Sequence, residues 1–96
     1  MKENEEKTIL LNLQEVEVEQ NIDKITKMDL SKVVGNIVHQ RAGDIGLDDK
    51  AREIYHKGEA EVSEYMLTQI RSIIEQSDLV LYVRTALMKH IDNKKV

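Results

Sequence analysis

Residues 29–58, DLSKVVGNIVHQRAGDIGLDDKAREIYHKG, carry a helix start, a helix stop, a second start and a second stop in close succession. That punctuation leaves room for little but two short helices joined by a tight turn. The first should run from residue 30 to residue 42. Asp29 can accept a hydrogen bond from an orphan backbone N–H of the first turn, and Ser31 is the alternative cap. Leu30, Val33, Val34, Ile37 and Val38 follow the spacing of one apolar stripe, with Ile37 at its centre. Lys32, Asn36 and His39 fall on the opposite side. Gly43 stands where a left-handed residue ends a helix. Gly35, at the edge of the stripe, costs roughly 1 kcal/mol against Ala. Either a neighbouring backbone comes close there, or the helix tolerates a weak spot.

Asp44, Ile45 and Gly46 then make the turn, with Ile45 tucked inward. Asp48 or Asp49 caps the second helix, which runs to Lys57 and stops at a left-handed Gly58. Leu47, Ala51, Ile54 and Tyr55 form its apolar side. A helix of that length is not stable alone, so packing on the rest of the chain must hold it.

What it packs on is aliphatic, because the chain has no Phe, no Trp and three Tyr. At 96 residues, a single domain spanning 1–96 is expected, large enough for one core without a disulfide or a structural metal. The absence of Cys fits a reducing compartment, and a cytoplasmic protein is expected. No apolar run approaches a membrane span, so neither a leader nor a membrane partner is expected.

Residues 1–7 are polar and charged and read as a disordered tail. In the segment TILLNLQEVEVEQ that follows, Ile9, Leu11 and Leu13 alternate in one parity and Val16 and Val18 in the other. Alternation with β-branched residues reads as strand, with a helix as the alternative that Val-Glu-Val-Glu does not favour. The change of parity demands a bulge, twist or turn between Asn12 and Glu15. The partner within reach is the segment from Ile22 to Met28, joined through residues 19–23, which makes 8–28 a strand or hairpin region. Residues 59–62 read as a connector. Ser63 caps a third helix to Gln76, with Val62 and Leu67 as a hydrophobic staple and Met66, Leu67, Ile70, Ile73 and Ile74 facing inward. Asp78 caps a fourth helix from residue 79 to residue 91. Its broad face is Leu79, Val80, Val83, Leu87 and Ile91. The expected fold is therefore α+β and mostly α: an N-terminal strand or β-hairpin (8–28) followed by a bundle of four short helices (29–92).

The run DLSKVVGN, then AGDIGLDDKAREIYHKGEAEV, then a helix and an apolar closing helix resembles a group of short proteins from bacterial prophages and other mobile elements. The resemblance covers about residues 29–91. It implies a small accessory or assembly protein. It implies no catalytic residues, because its cues are caps and core positions.

The residues themselves point the same way. His39, His56 and His90 are dispersed, no two at an i, i+4 spacing, and with no Cys beside them they do not read as a zinc site. His90 reads as a buried, hydrogen-bonded histidine. Asp44, Asp48 and Asp49 do not follow the alternation of a calcium loop and read as caps and turn residues. There is no nucleophile elbow, no triad signature and no Gly-rich phosphate loop. No enzyme activity and no cofactor are expected. A helix-turn-helix around residues 43–46 would put Asp48 and Asp49 against phosphate, so nucleic acid is not the favoured partner. The alternative function, a small nucleic-acid-binding transcriptional regulator, would use the basic face of the fourth helix.

Charge is distributed unevenly. The net value is −4, and residues 1–20 alone supply it: Lys2 and Lys7 stand against six Glu, including Glu15, Glu17 and Glu19. The far end holds Arg84, Lys89, Lys94 and Lys95 against Asp92. The fourth helix also has a second apolar stripe, Leu81 and Met88, with Arg84 between. An unpaired strand edge, that stripe and the opposed charges together predict self-association as a dimer. The candidate interface residues are Leu81, Met88, Arg84, Glu15, Glu17 and Glu19. A non-enzymatic protein–protein interaction or assembly module, with a further protein partner not identified by the sequence, is the function expected.

Overall fold

The structure, a computed structural model, describes residues 8–94, so the tail expected at 1–7 lies outside the described residues. The elements in chain order are β1 (Thr8–Asn12), β2 (Val16–Asn21), β3 (Lys24–Met28), α1 (Ser31–Arg41), α2 (Ile45–Lys57), β4 (Glu59–Ser63), α3 (Glu64–Glu75) and α4 (Leu81–Asp92). The fold is α+β with four helices and two small antiparallel sheets. One sheet pairs β1 with β4 and the other pairs β2 with β3. The strands are thus spread through the chain. The expected order of hairpin first and helices afterwards does not hold, because residues 59–62 are strand rather than connector.

The change of parity explains this arrangement. Ile9 and Leu11 of β1 turn inward opposite Val62 and Ala60 of β4. Val16 and Val18 of β2 turn inward opposite Met28 and Thr26 of β3. Between them the chain must switch sheets, and it does so at Asn12 and Leu13. The Leu13 N–H donates to the Gly58 carbonyl at 2.9 Å, and the Leu13 carbonyl accepts from the Leu30 N–H at 2.9 Å. The Asn12 side-chain oxygen accepts from the Gln14 N–H at 2.8 Å, and its amide donates to Glu59 at 3.0 Å. These bonds satisfy backbone groups that a strand break would otherwise orphan. They also tie β1 to the end of α2 and the start of α1.

In α1 the buried residues are Ser31, Val34, Gly35 and Val38, and Ile37 is only half-buried. The buried face is turned toward Gly35 relative to the expected stripe, because α2 crosses α1 there. Neither Asp29 nor Ser31 is the cap: α1 begins at Ser31, and Leu30 stands at the cap position without a side-chain bond. The Asp29 carboxylate, one residue earlier, accepts from the Ser31 N–H at 3.0 Å and the Ser31 hydroxyl at 2.6 Å. Those two bonds, the hydroxyl first, keep the Asp29 carboxyl below its ordinary range. Gly43 is not left-handed. Ala42 and Asp44 are both extended, so α1 ends by running straight into the next cap.

That cap is Asp44, whose carboxylate accepts from the Leu47 N–H at 2.8 Å. Neither Asp48 nor Asp49 caps, and α2 therefore begins at Ile45. Ile45 lies two residues, roughly 200° of helix rotation, before Leu47. It is 79% exposed rather than tucked in. Leu47, Ala51 and Ile54 are buried and Tyr55 is half-buried. Gly58 ends α2 at φ 82°, its N–H donating to the Ile54 carbonyl at 2.8 Å. Only a residue without a β-carbon takes that conformation freely.

Ser63 caps α3 as expected, accepting from the Met66 N–H at 3.1 Å. Leu67, Ile70 and Ile74 are buried in the common core. Asp78 does not cap α4. The buried Ser77 hydroxyl instead donates to the Ile74 carbonyl at 2.7 Å, residues 78–80 run outside the helix, and α4 begins at Leu81. Val80, expected in the broad face, is 54% exposed. Val83, Ala86, Leu87 and Ile91 are the buried side of α4. Arg71 of α3 donates to Asp92 of α4 through two bonds, 2.7 and 3.2 Å long, and clamps the two helices. No helix among the described residues is long and apolar enough to cross a membrane.

Candidate functional site

The β2–β3 hairpin stands beside α4, and a groove of about 560 Å³ runs between them. Strand alternation builds its first wall. With Val16 and Val18 committed to the core, Glu15, Glu17 and Glu19 must face the other way. Opposite them on β3 are Lys27, paired with Glu17 in register, and Ile25, paired with Glu19. Helix periodicity builds the second wall. Val83, Leu87 and Ile91 take the core side, which leaves Leu81, Thr85 and Lys89 along the groove.

Of the six residues singled out as an interface in the sequence, four meet here: Glu15, Glu17, Glu19 and Leu81. The other two do not line the groove. Arg84 bends back and donates to the Ser77 carbonyl at 3.1 Å, where it braces the α3–α4 connection. Met88 packs against the core, so Leu81 and Met88 do not form one stripe. They are seven apart, but the core contact of Met88 draws it beneath while Leu81, in the first turn, is 66% exposed. Among the residues missed were Ile25, 63% exposed, Lys27 and Thr85. The Leu81–Thr85–Lys89 spacing of four and four was present in the sequence as a signal. Ile25 could be found only from the hairpin register.

The electrostatics of the groove are split. Glu15 is 3.8 Å from Lys27, and Glu19 accepts from the Asp23 N–H at 2.7 Å, which secures the hairpin turn. Among the described residues Glu17, Lys89 and Lys94 have no ion-pair partner, and no ion pair crosses from one wall to the other. His90, at the groove floor, is half-buried and donates from Nε2 to the Asn12 carbonyl at 2.7 Å. The hydrogen bond expected of His90 is present, but the side chain lines the groove and is not fully buried.

A second, smaller cleft of about 200 Å³ lies between α1 and α2. Asp48 accepts from His39 Nδ1 there and from Arg52 Nε at 3.2 Å. The His39 bond, and Arg52 after it, hold the Asp48 carboxyl below its ordinary range despite partial desolvation. The Lys32 ammonium sits 4.3 Å from the centre of the Tyr55 ring. These contacts join the two helices. Among the described residues no three His, Cys, Asp or Glu side chains are grouped so as to hold a metal ion. No family model matches the chain, and no curated protein or solved structure matches it either.

Proposed function

We propose that this chain is a non-enzymatic protein–protein interaction or assembly module that engages its partner through the groove between the β2–β3 hairpin and α4. One observation carries the reading. The groove joins exposed apolar side chains, Leu81 and Ile25, to charged walls on which, among the described residues, Glu17, Lys89 and Lys94 have no ion-pair partner. Exposed apolar side chains flanked by charged ones suit a protein interface. Nucleic acid fits less well, since three carboxylates stand opposite Lys89 and would repel a phosphate backbone. The resemblance of residues 29–91 to short prophage proteins supports an accessory or assembly role in a mobile element, acting in the cytoplasm.

A photo-crosslinking amino acid placed at Thr85, inside the groove, tests the reading in the producing cell. A light-dependent adduct with a protein, lost when Leu81→Glu is added, is the expected result. No adduct at Thr85 from a folded, well-expressed chain would overturn it.

A further inference from the structure

We infer that the groove is filled by α4 of a second copy of this chain, with Lys89 and Lys94 of each copy lying against Glu17 and Glu19 of the other. The inference rests on the interaction reading above and names the partner. The groove dictates what can occupy it. Its hairpin wall asks for cations, its α4 wall asks for anions, and Ile25 on the first and Leu81 on the second ask for apolar surface. A basic peptide would satisfy the first wall and leave Lys89 and Lys94 unpaired. An acidic one would do the reverse. The chain itself carries both walls, each with one member of the apolar pair, and a two-fold axis brings each wall against its opposite. Every contact then occurs twice, so one modest pairing is doubled. Among the described residues the two walls, opposite in sign, form no ion pair across the gap, which leaves their charges for a filler.

The outer edge of β3 is a less suitable contact. It carries Lys24 and Lys27, and lysines on an edge strand oppose pairing with another strand. The side face of the hairpin and α4 are left to make the interface. Leu81 and Ile25 supply the affinity, while the charges set the register and exclude the parallel arrangement.

Light scattering coupled to size exclusion, at micromolar concentration, should give a mass near twice the 11.1 kDa of one chain. Lys89→Glu/Lys94→Glu should bring acid against acid, and Glu17→Lys/Glu19→Lys base against base. Each variant alone should run as a monomer, with Kd weakened at least about tenfold. An equimolar mixture of the two should return to the dimer mass, because both contacts become attractive again. If either reversal fails to fold, Lys89→Gln/Lys94→Gln and Glu17→Gln/Glu19→Gln should each weaken the dimer. A wild-type mass of one chain overturns the inference, as do reversal variants that stay dimeric or a mixture that stays monomeric. In those cases a persisting Thr85 adduct with another protein leaves the interaction reading standing, and its loss removes both.

Discussion

Gly35 of α1 lies so close to Tyr55 of α2 that a β-carbon at position 35 would stand 2.8 Å from the Tyr55 Cβ and 2.9 Å from the Ala51 carbonyl oxygen. Both atoms belong to or adjoin the backbone of α2, so neither can swing aside. The helices therefore cross at a point where only glycine fits, and the weak helix propensity of Gly35 is exchanged for close packing. Gly35→Ala should gain roughly 1 kcal/mol in propensity and lose about 1–3 kcal/mol through forced separation of the helices. A net fall in the urea midpoint is expected, larger for Gly35→Val. A midpoint equal to or above wild type for Gly35→Ala would contradict the crossing.

Gly58 and Gly43 should respond in opposite ways. Gly58 is left-handed, and Gly58→Ala should cost on the order of 1–2 kcal/mol through backbone strain. Gly43 has ordinary φ, and a β-carbon there would meet nothing within 4 Å. Gly43→Ala should be neutral, or stabilising by about 0.4–1 kcal/mol through a stiffer unfolded chain. Denaturant unfolding of the two single variants separates these outcomes.

Leu87 is fully buried at the centre of α4, whereas Ile37 is half-buried at the edge of α1. Leu87→Ala should cost roughly 2–5 kcal/mol through lost burial and a residual cavity. Ile37→Ala should cost about 1 kcal/mol, the ordinary value for a single substitution. Equal losses in parallel urea titrations would show that Ile37 belongs to the core after all.

Acid should loosen the α1–α2 pair through Asp48. Its folded pKa lies below the ordinary carboxylate value, chiefly because of the His39 bond. The ionised form is thus favoured by folding. Its contribution is complete above the unfolded value near about 4 and is lost as pH falls through the depressed folded value. Asp48→Asn should flatten the acid limb of the stability–pH curve in that window. An acid limb unchanged in the variant would show that Asp48 does not couple folding to protonation.

Much of the local structure was legible because its causes are local. The apolar spacing of Leu67, Ile70 and Ile74 and the Ser63 hydroxyl settle α3 within a few residues of chain. The same is true of the left-handed stop at Gly58 and of the parity break between Leu11 and Val16, which required the chain to change direction. Asp44 could cap α2 from its own sequence position too, but Asp48 and Asp49 compete for the same role at the level of composition. Geometry decided among them: the chain leaving α1 is already extended at Ala42.

The pairing of β1 with β4 was decided by tertiary structure. Thr8 lies opposite Ser63, and the strand EAEVS is short, with two inward positions, Ala60 and Val62, that scarcely differ from a polar connector in sequence. Such pairing becomes favourable only once α1 and α2 have closed the intervening loop, a loop-entropy cost that no local pattern records. The groove has the same origin. Sequence alternation dictated that Glu15, Glu17 and Glu19 share a face and that Leu81, Thr85 and Lys89 share another. Their meeting depends on β2 and α4 burying Val18 and Leu87 in one core, a contact between distant segments set by packing of the whole chain.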